Sequence, residues 1–138
     1  MWNVDEILDK LKTRGYKLTG QRKAIVERLC GRKDHPTAEQ LYKELKKDYP
    51  TISFATIYST VQLLEEMGYL QILTIDEKKT HFDPTWAAHA HFFCQKCGRL
   101  EDIEMEQEEV DKLKNLSEYR TQSLQVYLYG LCPECNNR

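Results

Sequence analysis

The sequence lacks several features that would place it in common functional classes. No window approaches the roughly 18 consecutive apolar residues that a transmembrane helix needs, so no membrane partner is expected. The first residues, 1–6, are acidic and lack the apolar core of an export signal, so we expect a cytoplasmic protein. Repeats and low-complexity segments are also missing. With 41% hydrophobic residues in 138, the chain can still bury a core, which excludes disorder as its main state.

Net charge is also small, but the charges are distributed unevenly. The formal net charge is −2, which by itself argues against a nucleic-acid partner. Residues 1–80, however, carry 14 Lys and Arg against 12 Asp and Glu, whereas residues 81–138 carry 6 against 10. A mildly basic first part followed by a clearly acidic second part favours two modules with different partners.

Helical periodicity dominates the first module. Apolar residues recur at helical spacing over residues 4–14, 20–30, 38–48 and 54–67, and Thr37 and Gln40 have the spacing of a capping box. Strand patterns at 69–75 and 80–83 follow, with a turn between them. Short helices followed by a hairpin predict a winged helix-turn-helix DNA-binding domain over residues 1–83.

The second module begins where Pro84 pushes Asp83 towards an extended backbone. Strand patterns at 89–94, 100–104 and 121–129, with a helical pattern at 106–116, predict a small α/β domain over residues 84–138. The fold class predicted for the whole chain is therefore α+β. A module of about 55 residues buries a small core and usually needs a metal or disulfides to be stable.

Four of the five cysteines form two Cys-x-x-Cys pairs, Cys94 with Cys97 and Cys132 with Cys135. Four soft sulfur ligands suit tetrahedral Zn²⁺, which would tie the two ends of the second module together. The alternatives are core cysteines or one thioredoxin-like redox pair. A redox pair would need a different order of strands and helices around it, so structural zinc is favoured. The remaining cysteine, Cys30, is predicted to be buried in the core.

Histidine is scarce, with four in the chain. His89 and His91 alternate along a predicted strand and so share one face, while Cys94 faces the other way. Spacing leaves open whether this pair binds a metal or is polar surface. Spacing alone gives three further residues ordinary explanations: His35 as a loop residue, Asp83 as a turn residue and Asp102 as a solvated acid. His81 is by default a surface residue.

Five segments follow one another along the chain in a characteristic order. They are Leu18-Thr19-Gly20-Gln21-Arg22, His35-Pro36-Thr37-Ala38-Glu39, Ser53-Phe54-Ala55-Thr56-Ile57-Tyr58, the segment from His89 to Gly98, and the terminal Cys-x-x-Cys. In this order they resemble the ferric uptake regulator family of metal-dependent repressors, over essentially the whole chain. The resemblance implies a cytoplasmic homodimer whose second module is a dimerisation domain.

The resemblance also implies two metal sites. It assigns structural zinc to the four paired cysteines, Cys94, Cys97, Cys132 and Cys135. It assigns a regulatory site to His35, Asp83, His89, His91 and Asp102. Three imidazoles and two carboxylates suit Fe²⁺ or Mn²⁺ better than a thiolate-binding metal. Because His35 lies in the first module, a metal bound there would favour one relative orientation of the two modules, the one that binds DNA.

Within the family, the chain looks more like the peroxide-sensing branch. Iron sensors resemble one another in having Glu at the position of Asp102 and a histidine-rich run before the first cysteine pair, and this chain lacks that run before Cys94. Many members of the family also have Arg after the tyrosine that matches Tyr58, where this chain has Ser59. The resemblance implies that peroxide, through bound iron, oxidises His35 or His89 and so releases DNA. The alternative is an iron- or manganese-sensing repressor of metal-uptake genes.

The helix over 54–67 is predicted to enter the major groove of DNA. Its candidate contacts are Thr56, Tyr58, Ser59 and Thr60, with no arginine for guanine, which favours A·T-rich sequence and recognition of shape. Lys17, Arg22 and Lys23 are candidates for phosphate or minor-groove contacts, the alternative being ordinary surface charge. A twofold dimer implies an inverted-repeat operator.

Two enzyme classes compete with this interpretation. A zinc hydrolase could use the His-x-His pair, and a dithiol oxidoreductase could use one cysteine pair. The hydrolase lacks a positioned general base and leaves the winged helix unexplained, and a single zinc site closed by both pairs leaves no free thiolate for redox exchange. We therefore expect a regulator rather than an enzyme.

Overall fold

The computed structural model of the chain describes residues 2–85 and 89–137. The chain divides into two compact units, Met1–Trp86 and Ala87–Arg138. The first is a winged helix-turn-helix and the second a small α/β unit, which confirms the predicted α+β class. None of the helices in the described part combines the length and apolarity needed to cross a bilayer.

Four helices build the N-terminal unit, and each begins where the sequence offers a side chain to cap it. An oxygen of Asn3, Thr19, Thr37 or Ser53 accepts a hydrogen bond from a backbone N–H in the first turn of its helix. Thr37 and Gln40 form the predicted capping box. The helices are α1 (Val4–Thr13), α2 (Gly20–Leu29), α3 (Ala38–Lys46) and α4 (Phe54–Glu66).

The apolar stripes of these helices meet in one core. Side chains from all four helices are fully buried there, among them Ile7, Ile25, Leu41 and Ile57. The prediction that Cys30 belongs to this core is wrong. Cys30 follows the last residue of α2 as its C-cap, outside the buried stripe, and its side chain is exposed.

The wing is a two-stranded antiparallel hairpin of β1 (Gln71–Leu73) and β2 (His81–Asp83). Both strands are shorter than the sequence patterns predicted. Tyr69, Leu70 and Ile75, just outside β1, are buried as core residues without extending the ladder. Phe82, at the centre of β2, is fully buried opposite Ile72 and fastens the wing to the core.

The C-terminal unit is a three-stranded sheet with two short helices. Strand β3 (His89–Cys94) is central, with β4 (Leu100–Glu104) antiparallel on one side and β5 (Tyr127–Gly130) parallel on the other. Helix α5 (Gln107–Lys114) connects β4 towards β5, and α6 (Pro133–Asn136) follows β5. The strand–helix–strand between the two cysteine pairs is therefore as predicted.

The predicted strand over 121–129 is wrong for residues 121–126. Strand β5 begins at Tyr127, which stands opposite His91 of β3. Two residues before the start of β5, this register already reaches the first residue of β3. Despite their alternating pattern, residues 121–126 are irregular.

The capping box of α3 yields the first prediction. Thr37→Ala removes the hydroxyl that accepts from the Gln40 N–H, at 3.2 Å, while Thr37→Ser keeps it. We expect Thr37→Ala to lower the free energy of unfolding by about 1 kcal/mol relative to Thr37→Ser. Urea unfolding followed by circular dichroism measures the difference. Equal stability of the two variants would contradict a capping role for the hydroxyl.

Candidate metal centres

The two cysteine pairs converge at one end of the C-terminal sheet. Cys94 ends β3 and Cys97 lies in the turn that follows, while Cys132 and Cys135 flank the start of α6. The pairs meet because Gly130, just before the second pair, is in register with Cys94 on the neighbouring strand. All four sulfur atoms lie within 4.8 Å of one another.

The sulfur geometry fits tetrahedral zinc. A Zn–S distance of about 2.3 Å places the corners of a tetrahedron about 3.8 Å apart. The Cys97 and Cys132 sulfurs are 3.7 Å apart, although 35 residues separate them in the chain. Three of the four cysteines are buried, as expected for a closed structural site rather than an open catalytic one. The cluster is a site for structural zinc, as predicted.

The backbone around the cluster favours a thiolate at Cys94. The N–H groups of Cys97 and Cys132 donate to its sulfur at 3.5 and 3.4 Å, and these bonds lower the pKa of the Cys94 thiol to about 5. Burial, together with the neighbouring sulfurs, raises the pKa of the Cys135 thiol to about 12. Zinc binding must therefore displace protons from the cluster.

Two imidazoles and a carboxylate converge on a second site within the C-terminal unit. His89 Nε2 and His91 Nε2 are 3.0 Å apart, and Asp102 Oδ1 lies 3.3 Å from the first and 3.4 Å from the second. His91 stands directly opposite Asp102 on β4. The register of β3 and β4 therefore selects Asp102 from an acidic run in which spacing alone did not distinguish it.

The N-terminal unit holds its own imidazole–carboxylate pair. His35 Nε2 and Asp83 Oδ2 are 3.7 Å apart, and both side chains are buried. His35 lies in the segment before α3 with a φ of 50°, a left-handed conformation that non-glycine residues rarely adopt. Asp83 ends β2, and its Oδ1 accepts the Thr85 N–H at 2.9 Å. His35 is therefore not the exposed loop residue that spacing suggested, whereas Asp83 makes the turn contact that spacing predicted and is also buried.

Sequence reasoning missed His81. This residue is half-buried rather than on the surface, and its Nδ1 donates to the His35 carbonyl oxygen at 2.7 Å. The available signal was its parity with Asp83, which puts both on one face of β2. Imidazole and carboxylate groups are the donors that Fe²⁺ and Mn²⁺ accept in proteins, so the His and Asp residues of each unit suit the predicted regulatory metal.

The DNA-binding candidates on α4 separate into outward and inward residues. Tyr58 and Ser59 are exposed and Thr56 is half-buried. The prediction of an outward Thr60 is wrong, because this residue is fully buried and its hydroxyl donates to the Thr56 carbonyl at 2.8 Å. Thr60 lies three residues after Ile57 and one before Val61, within the buried stripe of the helix.

The basic candidates lie beside the start of α2. Lys17 and Lys23 are exposed, and Lys23 lies 4.0 Å from Glu27. Arg22 is half-buried, its Nη1 donates to the Lys17 carbonyl at 2.8 Å, and its Nε is buried without a hydrogen-bond partner in the described residues. One shallow groove joins this region to α4; it is lined by Thr19, Gly20, Gln21, Arg22, Tyr49, Thr56 and Ser59.

Comparison with known proteins identifies the class. The family model described as the ferric uptake regulator family matches residues 13–129, so the chain belongs to this family of dimeric, metal-responsive, DNA-binding repressors. The peroxide-responsive repressor PerR of Staphylococcus aureus (strain NCTC 8325 / PS 47) is 31% identical to it over 137 residues. That match covers 98% of this chain and 93% of the relative.

Solved structures agree in fold. The Campylobacter jejuni peroxide stress regulator is 29% identical with a TM-score of 0.69, covering 97% of this chain and all of its own. PerR from Streptococcus pyogenes is 27% identical with a TM-score of 0.56, covering 98% of this chain and 94% of its own. The Helicobacter pylori ferric uptake regulator Fur has a TM-score of 0.79, covering 98% and 95%, but at 18% identity it shows the fold alone.

The four-cysteine site yields a prediction about metal content. Cys132→Ser removes one of four thiols, so we expect the variant to lose its zinc and the C-terminal sheet to unfold. Cys30→Ser is the matched control, because Cys30 is exposed and belongs to the other unit. Native mass spectrometry should find one zinc ion per chain in wild type and Cys30→Ser. Retention of zinc by Cys132→Ser would contradict the assignment.

Proposed function

We propose that this chain is a repressor that senses hydrogen peroxide through iron-catalysed oxidation of its own histidine ligands. The observation that carries the proposal is the placement of Asp102 against both His89 and His91, at 3.3 and 3.4 Å. Iron sensors resemble one another in having glutamate at this position, and the aspartate side chain is shorter than that of glutamate. The identity of 31% with a peroxide-responsive repressor, over 98% of the chain, supports the same branch.

The proposed regulatory site consists of His35 and Asp83 from the N-terminal unit with His89, His91 and Asp102 from the C-terminal unit. One ion bound by all five side chains would hold the two units in a single relative orientation. Such an ion acts by binding the DNA-competent arrangement more tightly than the others, so its loss releases DNA. The structural zinc would remain at the four cysteines in both states.

Peroxide would act on the ligands themselves. Bound Fe²⁺ supplies the chemistry that splits the O–O bond of hydrogen peroxide. The carbon between the two nitrogens of His35 or His89 exchanges its C–H for a C–O bond; the ring is oxidised by two electrons, and the second peroxide oxygen leaves as water. The shorter Asp102 side chain would leave one side of the iron open to peroxide. Each oxidation consumes a ligand, so the protein acts once as a sensor and does not turn over as an enzyme.

The proposed DNA partner is an A·T-rich inverted repeat bound by a cytoplasmic homodimer. Tyr58, Ser59 and Thr56 on α4 would face the major groove, and Lys17, Arg22 and Lys23 would contact phosphates or the minor groove. An exposed apolar surface on the C-terminal unit supports dimerisation there. Ile103 and Leu128 share one face of the sheet there, and each is at least 40% exposed.

An iron- or manganese-sensing repressor of metal-uptake genes is the second candidate. The same imidazole and carboxylate donors accept either metal whether or not peroxide is the signal. The two candidates differ in the fate of the histidines, which a direct measurement can follow.

Peptide mass spectrometry tests the peroxide proposal. Protein loaded with Fe²⁺ without oxygen receives about one equivalent of hydrogen peroxide, and a Mn²⁺-loaded sample is the control. We expect one added oxygen on His35 or His89 with iron and none with manganese, because Mn²⁺ does not supply this peroxide chemistry. Asp102→Glu should bind iron and show less oxidation. Unmodified histidines in iron-loaded wild type would favour the metal sensor, and normal oxidation in Asp102→Glu would contradict the role of the shorter carboxylate.

Substitution of Arg22 tests the DNA-binding surface. If the guanidinium contacts phosphate, Arg22→Ala should weaken binding to all DNA sequences alike and reduce the salt slope of binding by about 1. Arg28→Ala is the matched control, since Arg28 lies on another side of α2 and pairs with Glu44 at 3.6 Å. Fluorescence anisotropy at several salt concentrations measures both variants. An unchanged affinity in Arg22→Ala would refute the phosphate contact.

A further inference from the structure

The ring of His81 lies between two oxygen atoms of residues that are far apart in the sequence. Its Nδ1 donates to the His35 carbonyl oxygen at 2.7 Å, across 46 residues, and its Nε2 lies 3.4 Å from Asp76 Oδ2. The side chain is 16% exposed. The proposed function gives this arrangement no role, although it connects the wing with the segment that carries His35.

The carbonyl that His81 binds belongs to a residue with unusual backbone geometry. His35, at φ 50°, is the one non-glycine residue with a positive φ in the described part of the chain. Such a conformation persists only where the surroundings hold it. Two contacts from β2 add to the histidine bond here: the Phe82 N–H donates to the Pro36 carbonyl at 2.8 Å, and Thr37 forms an antiparallel bridge with His81.

The other side of the ring is fixed by the wing turn. Asp76 Oδ1 accepts the Lys78 N–H at 2.9 Å, which leaves Oδ2 directed at His81. Burial raises the pKa of the Asp76 carboxyl, but the bonds from Lys78 and His81 outweigh it, so the pKa lies below its usual value.

We propose that His81 is a positioning residue that holds His35 in its metal-binding conformation and, through Asp76, ties that ligand to the wing turn. The inference rests on the proposed function, because it takes His35 to be a ligand of the regulatory metal. His81 touches the backbone of His35 and not its ring, so its loss leaves the donor set chemically intact. The His35 backbone is then free to relax to an ordinary φ, which moves the imidazole away from Asp83.

Asparagine and glutamine at position 81 separate the effect of the hydrogen-bond donor from the effect of side-chain bulk, because the two are similar in size. The amide nitrogen of asparagine can occupy the place of Nδ1 and still donate to the His35 carbonyl. The longer glutamine carries its amide nearer the place of Nε2, towards Asp76. His81→Asn should therefore retain the positioning bond, whereas His81→Gln and His81→Ala should lose it.

The test is a Mn²⁺ titration of the zinc-loaded full chain, followed by electron paramagnetic resonance. We expect His81→Ala and His81→Gln to bind Mn²⁺ about 10- to 100-fold more weakly than wild type, the loss usual for groups that orient metal ligands. His81→Asn should bind close to wild type. The backbone chemical shifts of His35 in protein without the regulatory metal, measured by NMR, should leave the left-handed range in His81→Ala and His81→Gln and stay there in His81→Asn.

A His35→Ala variant separates failure of this inference from failure of the proposed function. If His35→Ala binds Mn²⁺ as wild type does, the regulatory site itself is wrongly assigned. If His35→Ala binds weakly and His81→Gln binds normally, the site stands and the positioning role is overturned. Equal losses in His81→Asn and His81→Gln with unchanged His35 shifts would also overturn it, because packing alone would then explain the effect.

Discussion

The four-cysteine cluster is the constraint on which the C-terminal unit depends. Its buried hydrophobic cluster consists of Cys94, Cys132 and Cys135, with Phe92 packed against them. A sheet of three strands, none longer than six residues, buries too little apolar surface to be stable by itself. Metal–thiolate bonds that join the two ends of the unit supply folding free energy that the core cannot. The thiols at the end of β3 therefore also hold the other side chains of this strand in place.

Strand β3 carries ligands for both proposed metals because side chains alternate along a strand. Cys94 faces one side of the sheet, while His89 and His91 face the other. The antiparallel register with β4 then brings Asp102 opposite His91. One short strand thus links a site that stabilises the unit to a site that can respond to a signal. The oxidation that we propose for His89 would therefore take place on the face of the sheet opposite the Cys94 thiol.

The N-terminal unit places its ligands by a different route. Asp83 belongs to the wing, and His35 precedes α3 in a segment that pairs with β2 through Thr37 and Pro36. The wing therefore supports both proposed metal ligands of this unit.

The sequence by itself determined the features that depend on local spacing. The caps of α1 to α4, the wing hairpin, the order of strands in the second unit and the paired cysteines all follow from residues a few positions apart. The tertiary structure decided which distant residues meet. Asp102 is distinguished from its acidic neighbours by the register of β4 against β3, and His81 acquires its partner 46 residues away. Thr60 lies within the buried stripe of α4, so helical spacing already contained that information, and Cys30 is exposed because it follows α2 as its C-cap. Residues 121–126 stay outside β5, because pairing depends on what a neighbouring element presents. The local spacing of residues contains no information about that neighbouring element.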